Sequence, residues 1–98
     1  MAELNRDTGS RIRGYSVRLF VAGNALNSRI ARENLGRLRN SDPEAFFEVE
    51  IVDVLEDSRK ALDAGIYVTP ALQVLKPEPG GIVYGNLSDL EALKGLLT

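Results

Sequence analysis

The chain has 98 residues, 44% of them hydrophobic and 27% charged, the balance of one ordinary globular domain with no room for a second core. It holds no cysteine and no histidine, which excludes disulfides, thiolate redox couples, the usual zinc ligands and the usual general base at neutral pH. A formal net charge of −2 gives no general pull toward nucleic acid, so none is expected as a partner. No apolar run approaches the ~20 residues of a membrane span, and the polar start MAELNRDTGSRIRGYS has no apolar leader core. These features predict a cytoplasmic protein that meets no membrane and needs no cofactor or metal.

Residues 1–15 are polar, carry Gly9 and Gly14, and show no apolar period, so they are expected to be a solvated tail, with the domain occupying 16–98. Val17 to Val21 is rich in β-formers and predicts a central strand, ended by the turn Ala22-Gly23-Asn24, where Asn24 tolerates a left-handed backbone. Asn27 or Ser28 is the expected cap of the next helix. Its inner face is Ile30, Ala31, Asn34, Leu35 and Leu38, and Arg29, Arg32, Arg37 and Arg39 fall mainly elsewhere. Ser41 to Glu44 reads as a turn around Pro43. From Phe46 to Val54 the alternation puts Phe47, Val49 and Ile51 on one face and Glu48 and Glu50 on the other, the pattern of a charged edge strand.

Glu56 to Ala64 predicts a short helix with acidic residues at its start and Gly65 as its stop. A strand within Ile66 to Leu75 follows, entered through the corner at Pro70. A turn at Pro77, Pro79, Gly80 and Gly81 then leads to a return strand at Ile82 to Tyr84. Gly85-Asn86-Leu87 closes that strand. Ser88-Asp89-Leu90-Glu91 has the spacing of a capping box, opening a last helix with Leu90, Leu93 and Leu97 as its stripe.

The order β-α-β-(α)-β-β-α predicts an α/β domain whose first two strands are parallel and whose last pair is a hairpin. With a Thr-Pro at the third strand's start, it resembles the thioredoxin-like fold, βαβαββα around a four-stranded mixed sheet. The resemblance implies a cis bond before Pro70, facing the loop Ala22 to Asn27 where thioredoxins carry their cysteine pair. The pieces Leu19-Phe20-Val21-Ala22-Gly23-Asn24, Asn27-Ser28, Ile51-Val52-Asp53-Val54-Leu55, Thr69-Pro70-Ala71-Leu72 and Tyr84-Gly85-Asn86-Leu87-Ser88-Asp89 resemble, in order and spacing, the KaiB circadian-clock family. In that family an acid usually stands where Asn86 stands here.

That resemblance implies a non-enzymatic module that binds a KaiC-type ATPase ring, with a KaiA-like protein or a sensor kinase as further partners. It also implies an alternative fold in which the C-terminal half rearranges and the chain associates with itself, as a dimer or tetramer. Two local features agree with a switch. The last helix, of about ten residues, is shorter than the ~12–15 at which isolated helices become marginal, and Gly95 inside it costs about 1 kcal/mol against Ala. The thioredoxin-like form is the one expected. Partner binding is expected at Asn27, Arg29 and Arg32 on the helix and at Glu48 and Glu50 on the edge strand. Gly23, Asn24, Pro70, Gly85, Asn86, Ser88 and Asp89 are the expected structural or switch positions. Two alternatives accompany this reading: a KaiB-like sensory domain of a histidine kinase, and a cysteine-less enzyme presenting Ser28 at a helix start.

Overall fold

The computed structural model describes residues 14–41 and 48–89. Residues 1–13 of the expected tail, the turn from Asp42 to Glu44, Phe46 and Phe47, and the last helix with Glu91 lie outside the described residues, while Tyr15 packs against the core and its carbonyl accepts from the Glu48 amide. Six elements follow one another: β1 (Ser16–Val21), α1 (Leu26–Ser41), β2 (Glu48–Asp53), α2 (Ser58–Ala64), β3 (Ala71–Lys76) and β4 (Gly81–Tyr84). The strands form one sheet in the order β2-β1-β3-β4. β2 runs parallel to β1, while β3 is antiparallel to both β1 and β4. The thioredoxin-like arrangement is therefore the one adopted, with β1 inside the sheet and β2 at its edge.

Alternation along β1 builds two cores. Val17, Leu19 and Val21 face α1 and pack with Ala31, Leu35, Leu72, Val74 and Leu87. Phe20 faces the other way, into a second cluster with Val52, Ala61, Ile66 and Ala71. Each fully buried side chain of this size contributes about 1.5–3 kcal/mol, so the strand that feeds both clusters anchors the domain.

Several local expectations change. α1 begins at Leu26, with the Arg29 amide already donating to the Ala25 carbonyl at 3.0 Å, so Asn27 and Ser28 lie in the first turn rather than capping it. Gly23, with φ 54°, takes the left-handed turn position expected of Asn24. In β2 the predicted one-sided burial fails: Val49 packs toward α1, but Ile51 is exposed and Val52 is buried on the opposite face. Both faces of this sheet carry a core, and Ile51 sits on its outermost strand. α2 starts at Ser58 because the amides of Glu56 and Asp57 turn back to the Asp53 carbonyl, leaving Asp57 to cap Lys60. Gly65 ends it as expected: its amide donates to Leu62, and that of Ile66 to Ala61. β3 starts only after Pro70.

Candidate functional site

β1 and β2 both end where α1 begins, and β3 starts and β4 ends on the same side, so four loops converge at one end of the sheet. Polar side chains fasten them. The Asp53 carboxylate accepts from the amides of Gly23 at 3.1 Å and Leu55 at 3.0 Å, tying the loop after β1 to the loop after β2. Arg32 donates to the Gly23 carbonyl at 3.0 Å. Ser28 is buried, and its hydroxyl accepts from the Ala22 amide at 3.0 Å. The Thr69–Pro70 bond is cis, and the Pro70 carbonyl accepts from the Gly85 amide at 2.9 Å. Since Ala71 pairs with Phe20, Pro70 stands beside the end of β1.

A chain of asparagines joins α1 to the segment after β4. Asn34 donates to the Asn86 carbonyl at 2.9 Å, the Asn86 amide group donates to Asn27 at 3.2 Å, and the Asn86 side-chain oxygen accepts from the Ser88 amide at 3.1 Å. Between Asn86 and Ser88, Leu87 is buried with φ 66°, a left-handed backbone that a branched side chain adopts only under constraint.

The β2 edge carries a second polar group on the face that α2 occupies. Glu50 accepts from Arg18 at 2.8 Å and from Lys60 at 2.6 Å, while Ser16 donates to Glu48 at 2.9 Å. Hydrogen bonds from Lys60 first, then Arg18, hold the Glu50 carboxyl below the ordinary glutamate value of 4.5. Among the described residues no group of three or more carboxylates gathers to hold a metal ion. No described helix is long and apolar enough to cross a membrane.

Residues 18–98 match the KaiB domain family. The chain belongs to the KaiB family. It is 34% identical over 77 residues to the circadian clock oscillator protein KaiB of Picosynechococcus sp., covering 79% of this chain and 74% of that one. With the circadian clock protein KaiB3 of Synechocystis sp. it shares 36% over 75 residues, 76% of this chain and 74% of the relative. Its fold is similar to the N-terminal domain of Synechococcus elongatus SasA, with TM-score 0.69 and 16% identity over 92% of this chain and 87% of that one. Mitochondrial thioredoxin 3 of Saccharomyces cerevisiae superposes with TM-score 0.69 and 19% identity, covering 84% and 76%.

In this KaiB-family chain the five expected partner-binding residues fall into two separate groups. Asn27, Arg29 and Arg32 lie at the start of α1, where β1 ends. Glu48 lies beside Ser16, where β1 begins, and Glu48 and Glu50 share the face of the sheet opposite α1. Four of the five make side-chain hydrogen bonds within the domain; Arg29 makes none among the described residues. Of the expected switch positions, Gly85 donates to Pro70, Ser88 donates to the Asn86 side chain, and Gly23 is held by Asp53 and Arg32, while Asn24 and Asp89 are exposed. Sequence reasoning missed the paired roles of Arg18 and Lys60, because the Arg18–Glu50 pair, 32 residues apart, depends on strand register and the Lys60–Glu50 pair on how α2 packs over β2. It missed Leu87 because a leucine gives no signal for φ above zero. The Asn86-x-Ser88 spacing was the available sign of the turn there.

Proposed function

We propose that this chain is a non-enzymatic interaction module, residues 16–98, that docks in the cytoplasm on a KaiC-type RecA-like ATPase ring. The start of α1 is the docking surface: Asn27, Arg29 and Arg32, with exposed Leu26 beside them. One observation carries the reading. At the corner where thioredoxins keep their cysteine pair, Ser28 is 1% exposed and its hydroxyl is engaged with the Ala22 amide, so the corner is a packed structural joint. With no histidine in the chain to activate a serine, what this end offers outward is recognition: the Arg29 guanidinium, without a side-chain hydrogen bond among the described residues, and the exposed Leu26. Membership of a family whose relatives are clock proteins supports the choice of partner. The outer edge of β2, which has no neighbouring strand among the described residues and carries the carboxylates of Glu48 and Glu50, suits strand addition by a second partner of the KaiA or sensor-kinase kind.

The same proposal includes a rearrangement of the C-terminal half into a self-associated form. β4 is four residues long and nowhere fully buried, and the backbone that follows it is left-handed at Leu87, features of a segment whose alternatives lie within a few kcal/mol. Titrating a purified KaiC-type ring with the full chain tests the docking: saturable binding is expected, and its absence in the presence of nucleotide overturns it. Size-exclusion chromatography over a wide concentration range tests the rearrangement, which predicts a tetramer giving way to a monomer on dilution. A single species throughout contradicts it.

A further inference from the structure

On the α2 side of the sheet an apolar groove stands open. It runs between α2 and the loop before β3, encloses about 300 Å3, and is lined mainly by Val54, Ala61, Leu62, Ile66 and Tyr67. Ser58, Ala61 and Leu62 recur at i, i+3 and i+4, so one stripe of α2 faces this space. Ala61 is the member buried against the sheet, and its small side chain leaves the depth of the groove unfilled. Leu62 and Tyr67 remain 59% and 79% exposed, and the chain neighbours of the lining residues Val54 and Tyr67 add Leu55 at 73% and Val68 at 60%. Single exposed apolar residues are ordinary. Leu62 and Tyr67 line the same concavity, the kind of exposed apolar pair that marks a protein contact.

The charges beside the groove say what it takes. Glu56 and Asp57 directly precede the lining residue Ser58, and Asp63 directly follows Leu62. The cations between Glu56 and Asp63 are Arg59 and Lys60, and Lys60 is drawn to Glu50 at 2.6 Å, which leaves Arg59 against these three carboxylates. A partner segment with acidic flanks meets like charge here, and one with basic flanks meets its complement.

We propose that this groove is a second docking site, which binds a partner-protein segment carrying a leucine or phenylalanine anchor flanked by lysine or arginine. The anchor enters between Leu62 and Tyr67, and the flanking cations meet Glu56, Asp57 and Asp63. The site uses none of the residues assigned to docking on the ATPase ring and stands independently of that reading.

Fluorescence anisotropy with a dye-labelled peptide, Lys-Lys-Leu-Phe-Leu-Lys-Lys, tests it on the full chain. Saturable binding is expected, at least tenfold tighter than for a peptide with aspartate in place of the lysines or serine in place of the apolar centre. Leu62→Ser and Tyr67→Ser alter exposed side chains, so both keep the wild-type circular dichroism, and each weakens the peptide about tenfold. The pair Glu56→Lys and Asp63→Lys reverses the preference toward the aspartate-flanked peptide. Absence of saturable binding, equal binding of the three peptides, or unchanged affinity in Leu62→Ser and Tyr67→Ser overturns the proposal.

Discussion

Leu87 combines two demands that seldom meet in one residue. Its side chain completes the α1-side core, while its backbone sits at φ 66°, where a Cβ costs about 1–2 kcal/mol. Removing the side chain in Leu87→Ala is therefore expected to cost about 2–4 kcal/mol. Leu87→Gly loses the same packing but escapes the left-handed penalty. Urea denaturation should find the glycine variant at least as stable as the alanine variant, although elsewhere glycine trails alanine by about 0.5–1 kcal/mol. The ordinary order, with glycine the weaker, would contradict the assigned backbone. Glu50 gives a second test at the same scale. Lys60 and Arg18 lower its carboxyl pKa in the folded state, so the unfolded chain takes up the proton first as pH falls. The stability it contributes is present above the ordinary value of 4.5 and is lost on acidification through the folded value. Thermal melts should show Glu50→Gln flattening the decline below about pH 4.5, modestly, because both ion pairs are well exposed.

Among the elements, the β3–β4 hairpin depends on one glycine. A Cβ on Gly80, whose φ is 70°, would lie 2.1 Å from the Val74 carbonyl oxygen, a backbone atom that cannot step aside. Gly80→Ala is expected to cost about 2 kcal/mol or more, from the left-handed penalty and the clash together. An unchanged melting temperature would refute that account of the turn. The prolines and glycines from Pro77 to Gly81 announced this hairpin in the sequence, as Val17 to Val21 announced the central strand. The face of β2 was less legible. Period-two alternation shows which residues share a side, yet it cannot show that a sheet is covered on both sides. Val52 and Ile51 exchanged their expected roles for that reason. At the start of α1, Ser28 serves Ala22 in the preceding turn rather than capping its own helix.

For the molecule as a whole, the order of elements and the Thr-Pro corner were enough to foresee the thioredoxin-like sheet. The surface was not. Arg29, Arg32, Glu48 and Glu50 look alike in sequence, as charges on an amphipathic helix or an edge strand, and only register and pairing separate them. Arg32 fastens the Gly23 loop, Glu50 is held by two cations, Glu48 takes the Ser16 hydroxyl, and Arg29 has no side-chain hydrogen bond among the described residues. If the domain acts by presenting the start of α1 to another protein, that start should tolerate substitution structurally while governing affinity. Isothermal titration of a purified KaiC-type ring with the double variant Leu26→Ser, Arg29→Glu measures this directly. The account predicts binding at least tenfold weaker than wild type, with circular dichroism and melting temperature unchanged. Wild-type affinity in that variant would contradict it.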